Sequence, residues 1–97
     1  MKVAYSKSFI KAASKVSGKL KQSLQQAIIE TKNAQSVNDI TDCKKLTGFS
    51  NVYRIRVGNH RAFFTIRVIN NTIFFEYFLP RGQAYSKQVM ESLHSKE

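Results

Sequence analysis

Acidic residues are scarce in this chain. Six Asp and Glu stand against sixteen Lys and Arg in 97 residues, giving a formal net charge of +10 and a pI near 10.1. A balance this basic argues for nucleic acid or an acidic protein as partner. Cysteine occurs once, at Cys43, which excludes an internal disulfide and, with no export signal at the N-terminus, suits a reducing cytoplasm. A lone thiol of this kind reads as a small buried or loop residue before it reads as a nucleophile. The two histidines, His60 and His94, lie far apart and give no metal-ligand spacing. Four glycines form no phosphate-cradling loop. No apolar run is long enough to span a bilayer, so no membrane partner is expected. Internal repeats and low-complexity segments are also missing.

What is present suits one α+β domain over residues 1–97. Seven Phe and four Tyr, within 42% hydrophobic residues, can furnish a single core. The stretch from Lys44 to Tyr85 organises the chain, with a meander expected at about 53–79. Tyr53, Ile55 and Val57 alternate with Arg54 and Arg56; Ala62, Phe64, Ile66 and Val68 alternate with Arg61, Phe63, Thr65 and Arg67. That period of two marks half-buried strands. A third run is less clean, setting Ile73, Phe75, Tyr77 and Leu79 against Thr72, Phe74, Glu76 and Phe78. Val57-Gly58-Asn59-His60 and Ile69-Asn70-Asn71 supply the Gly and Asn of tight turns. One sheet face is therefore apolar. The other carries Arg54, Arg56, Arg61 and Arg67, either as solvated strand positions or as a surface for a polyanion.

Before the meander, Val3-Ala4-Tyr5 reads as a short strand and Ser6 as a helix N-cap. Phe9, Ile10, Ala13 and Val16 follow at helical spacing, with Lys7, Lys11 and Lys15 on another stripe. Ser17-Gly18 breaks the pattern. A second helix buries Leu20, Leu24, Ala27, Ile28 and Thr31, so a helical hairpin spans about 6–32 and covers the apolar sheet face. Residues 33–43 read as a connecting loop with a helical turn. Leu79-Pro80-Arg81-Gly82 must leave the sheet, because proline cannot donate to a ladder. Ser86 caps a last helix at about 86–94. The expected order is β-α-α-β-β-β-α, an antiparallel meander with helices on one face.

The succession of a helical hairpin, Lys44-Lys45-Leu46-x-Gly48 and Tyr53-Arg-Ile-Arg-Val-Gly-x-x-Arg61 resembles the RelE/ParE toxin superfamily of bacterial toxin–antitoxin modules. The resemblance runs from Lys2 to about Lys87 and includes Arg81-Gly-Gln-Ala-Tyr85, with the arginine and the tyrosine four apart. It implies one of two activities. RelE-like members are small basic proteins that cut messenger RNA in the ribosomal A site; ParE-like members keep the fold and poison DNA gyrase. In both branches an antitoxin wraps the toxin. Here the resemblance implies an acidic antitoxin partner, mRNA and the ribosome as targets, a cytoplasmic location, a monomeric free toxin and no cofactor. A non-catalytic RNA-binding module is a further alternative that fits the charge.

Carried over by position, Arg54 and Arg56 fall where RelE-type toxins place basic residues on the cut phosphate. Arg61 follows the hairpin turn, and Arg81 and Tyr85 match the C-terminal pair. The resemblance thus implies Arg56, Arg61, Arg81 and Tyr85 as catalytic residues, with Lys44, Lys45, Arg54 and Arg67 as RNA contacts. Three positions depart from the pattern. Pro80 replaces a flexible basic pair, His60 replaces an aromatic residue, and Arg54 and Arg56 stand where the best-studied branch has lysine, including its proposed general base. The reaction itself needs a group to take the 2′-hydroxyl proton, another to protonate the departing 5′-oxygen, and cations for the phosphate oxygens. Guanidinium forks meet phosphate bidentately but stay protonated, so they stabilise charge and make poor bases. His60, Tyr85 and Glu76 remain as titratable candidates, with His60 the candidate base. Tyr85, Phe63, Phe74 and Phe78 are candidate stacking platforms for bases, the three Phe being equally suited to the core.

Overall fold

The computed structural model describes residues 1–67 and 70–97. In chain order it forms β1 (Lys2–Tyr5), α1 (Lys7–Ser14), α2 (Gly18–Asn33), a 3-10 turn (Val37–Asp39), β2 (Cys43–Lys45), β3 (Val52–Val57), β4 (His60–Arg67), β5 (Thr72–Pro80), α3 (Arg81–Ala84) and α4 (Lys87–His94). The five strands make one sheet in the order β1-β5-β4-β3-β2. β1 runs parallel to β5, and the other neighbours are antiparallel. The α+β class, the helical hairpin and the meander stand as the sequence implies. Val68, expected on the apolar face, and Ile69, expected in the turn, lie outside the described residues.

Local chemistry places the ends of these elements. The Ser6 hydroxyl accepts from the Phe9 amide at 2.9 Å and donates to the Glu76 carbonyl at 2.6 Å, so one residue caps α1 and ties it to β5. Ser86 caps α4 by accepting from the Val89 amide. Val57 pairs with His60 across a two-residue turn in which Gly58 takes φ +57, open to glycine without steric cost. On α2 the buried stripe is the expected one, and the Thr31 hydroxyl donates to the Ala27 carbonyl inside it. On α1 the stripe is rotated: Phe9 is buried, Ala12 and Ala13 pack beside it, and Ile10 is exposed.

Two expectations are corrected. Helices do not cover one face only. Phe9, Leu24, Ile55, Val57, Ala62, Phe64, Ile73, Phe75 and Phe78 form a core between the sheet and the α1–α2 hairpin. A second cluster of Phe49, Val52, Phe63, Ala84 and Leu93 lies on the opposite face, beneath α3 and α4. The third strand also changes phase. Phe63 pairs with Tyr77 but Phe64 pairs with Phe75, so Glu76 is an extra residue in β5. Beyond this bulge Phe78 joins the hairpin core, while Tyr77 and Leu79 pack against the second cluster. Alternation alone puts these three residues on the wrong faces, because a one-residue insertion exchanges every side chain after it.

Two segments read as connections are regular. Cys43–Lys45 is an edge strand on β3, and Arg81–Ala84 is a short helix directly after Pro80. Leu93 has no exposed surface and anchors α4. Leu93→Ala should lower the unfolding free energy by about 2–5 kcal/mol, whereas Ile10→Ala, at an exposed site, should change it by about 0.5 kcal/mol or less. Urea titrations of the two variants measure this, and equal midpoints would remove α4 from the core.

Candidate nucleic-acid interface

Strand register sets the basic residues in two transverse rows. Lys44 pairs with Arg54, which pairs with Phe63, which pairs with Tyr77. In the next row Arg56 pairs with Arg61, and Arg61 with Leu79. Directly paired residues share a sheet face with Cβ atoms about 5 Å apart, and like charges so placed repel. The two guanidiniums resolve this by swinging apart. Arg56 Nη2 reaches the Asp42 carboxylate at 3.4 Å, at the sheet edge. Arg61 Nη1 turns back on its own hairpin, donating to the His60 carbonyl at 2.9 Å and the Gly58 carbonyl at 3.3 Å. Arg54 donates to the Asp42 backbone carbonyl at 2.7 Å. Guanidiniums of this kind can meet a phosphate bidentately.

The segment after β5 closes this region from one side. The Arg81 amide donates to the Asn59 carbonyl at 2.7 Å, which brings α3 to the β3–β4 turn beside the carbonyls that hold Arg61. Arg81 is exposed there. Four residues on, Tyr85 lays its ring edge-on to Phe63, centroids 5.6 Å apart at 82°, and keeps 47% of its surface exposed. Phe63 itself is fully buried and supports the tyrosine rather than meeting solvent. Lys44, Arg54, Arg56 and Arg61 thus share the sheet face of Phe63, on which Tyr85 rests, and the exposed Arg81 begins the helix beside it.

Other candidates lie elsewhere. Lys45 pairs with Tyr53 and so points to the hairpin face. Arg67 pairs with Thr72 at the far end of β4, six residues from Arg61 or about 20 Å along an extended strand, and its guanidinium lies 5.2 Å from the Phe74 ring centroid. Glu76 is buried, accepting from the Thr65 hydroxyl at 3.2 Å and facing Lys96 at 3.8 Å. Phe78 belongs to the hairpin core. His60, the candidate base, pairs with Val57 and stacks on Phe78 at 4.8 Å, on the face opposite Arg61. Its Nδ1 is buried with no hydrogen-bond partner among the described residues, and burial holds its pKa below the usual 6.5. The imidazole is turned away from the arginines beside which it was a possible base.

Burial pushes the half-buried Cys43 thiol up to about 11, against the opposing pull of Arg54, so it is protonated near neutrality and inert as a nucleophile. Among the described residues no three His, Cys, Asp or Glu side chains stand together as a metal site. Asp42 is the contact that sequence reading missed. Its meeting with Arg54 and Arg56 depends on β2, which starts at the end of a segment read as a loop.

No family model matches the chain. A curated relative, Toxin RelE3 of Methanocaldococcus jannaschii, is 41% identical over 86 residues, covering 88% of this chain and 96% of that protein. The RelE chain in the crystal structure of a RelB–RelE antitoxin–toxin complex from Methanococcus jannaschii is 34% identical with a TM-score of 0.72, over 84% of this chain and 94% of that one. The isolated Escherichia coli RelE toxin shares the fold at a TM-score of 0.67 and 13% identity, over 99% and 98% of the two chains. The open arginine face thus belongs to a toxin fold of toxin–antitoxin systems. The chain is a member of the RelE toxin family.

His60 generates a pH dependence. Burial lowers its folded-state pKa, so the unfolded chain takes up this proton first as pH falls. Its contribution to stability is full above about 6.5 and is lost as pH falls through the lowered folded value. Denaturation in urea at pH 7.5 and 5 should show the wild type losing more stability than His60→Phe. Equal losses would mean that burial does not govern this imidazole.

Proposed function

We propose that the chain is the toxin of a type II toxin–antitoxin module, acting over residues 1–97 as a single cytoplasmic domain. On this reading it is a ribosome-dependent endoribonuclease that cleaves mRNA without a cofactor. The observation that carries this is the cross-strand pair Arg56–Arg61, with Arg54, Arg81 and the half-exposed Tyr85 around it on one open face. The 2′-oxygen gives up its proton and bonds to phosphorus, the P–O5′ bond breaks, and the 5′-oxygen takes a proton. Arg56, Arg61 and Arg81 stabilise the charge on the non-bridging oxygens. Tyr85, held by Phe63, stacks on a base or protonates the leaving oxygen. With no base on the arginine strand and His60 on the other face, alignment of the in-line geometry on the ribosome supplies much of the rate.

Induced expression should stop amino-acid incorporation before DNA synthesis, and primer extension should show new ends within translated codons. Gyrase-dependent DNA breaks with translation intact would instead place the chain with the gyrase poisons. Arg61→Ala should cost about 1.5–3 kcal/mol of transition-state stabilisation, roughly 10- to 150-fold in single-turnover cleavage, because each is one charged hydrogen bond to phosphate. Tyr85→Ala should lose as much, while His60→Ala leaves the rate within about twofold. A large loss at His60 alone would reassign the base.

The +10 charge and the RelB–RelE complex of the relative support an acidic antitoxin as partner, bound to a toxin that is monomeric when free. Co-expression with the acidic product of the adjacent reading frame should give one peak in size-exclusion chromatography at low salt. Separate elution would remove the partner assignment.

A further inference from the structure

Asp42 is one of six acidic residues in a chain of net charge +10, and it meets two of the arginines assigned to RNA. Its backbone has φ +56, a left-handed conformation uncommon outside Gly, Asn and Asp. That conformation turns its carbonyl towards Arg54 Nη1, at 2.7 Å, and the Arg56 amide, at 3.2 Å. The carboxylate is left beside Arg56 Nη2 at 3.4 Å. Both side chains of this ion pair are 53% exposed, so an incoming anion has access to the same guanidinium. Resting on the RNA-binding reading above, we infer that Asp42 sets the affinity of the arginine face for RNA, its carboxylate occupying Arg56 in the free toxin until an RNA phosphate displaces it.

The consequence is a weakened contact at one place. A phosphate lying elsewhere on the basic surface gains long-range attraction, which salt screens, and leaves the carboxylate where it is. A phosphate bound at the Arg56–Arg61 pair must draw Arg56 back from the sheet edge and displace the carboxylate, so Asp42 lowers the affinity of that contact and reduces by one the phosphates neutralised.

The probe is a fluorescein-labelled 12-nucleotide single-stranded RNA, titrated over a series of KCl concentrations. Asp42→Asn keeps the backbone carbonyl and suits the left-handed φ, so it removes the charge with little disturbance of the fold. It should bind about three- to tenfold more tightly at 0.1 M KCl. Its slope of log K against log salt should be steeper by about 0.7, one further single-strand phosphate neutralised. In an Arg56→Ala background the same change should have no effect. Glu91→Gln, which removes an equal charge from the exposed face of α4, should leave both quantities at wild-type values. A purely structural Asp42 would show lowered stability with an unchanged slope, and that result overturns the inference alone, as does an Asp42→Asn effect that persists without Arg56. Failure of the wild type to bind the oligonucleotide at any salt would overturn the RNA reading itself, and this one with it.

Discussion

The bulge at Glu76 is the constraint on which the rest of the molecule depends. β5 is apolar along almost all of its length, and as a regular strand it would set Tyr77 and Leu79 against the hairpin with Ile73 and Phe75, and Phe78 on the other face. With one extra residue opposite Phe63 and Phe64, its first half presents Ile73 and Phe75 to the hairpin. The second half delivers Phe78 to the same core and frees Tyr77 and Leu79 for the opposite face. α3 and α4 then have apolar surface on which to lie, and they seat Tyr85 on Phe63.

That face is built from repulsion as much as from attraction. Arg56 and Arg61 are direct cross-strand partners, the least favourable placement for like charges in a sheet. The fold tolerates them because each guanidinium finds oxygen elsewhere, Arg56 at Asp42 and Arg61 at the Gly58 and His60 carbonyls. Both arginines therefore rest on the protein's own oxygens, and Arg56, half-exposed, stays open to solvent.

Much of this was legible in the chain. Period-two alternation gave β3 and β4 with their faces, and helical spacing with Ser6 and Ser86 gave α1, α2 and α4. Alternation also put Arg54, Arg56 and Arg61 on one face; Arg81 and Tyr85 were singled out only through the family resemblance. These features are local. Side-chain period and capping are fixed within a turn or two of chain, so they survive without knowledge of the fold.

What only the tertiary structure decided depends on register between distant segments. Nothing in residues 33–45 marks Cys43–Lys45 as an edge strand, since three residues are too few for a period to show. The contact of Asp42 with Arg54 and Arg56 was therefore hidden. The bulge was hidden as well, because an extra residue inside an apolar run leaves no trace in the pattern while it exchanges the faces of Tyr77, Phe78 and Leu79. The face of His60 and the distance of Arg67, by contrast, follow from alternation and rise along β4 and were open to local reading. Sequence determined which residues could bind a polyanion; strand pairing, which acts across tens of residues, decided which of them meet.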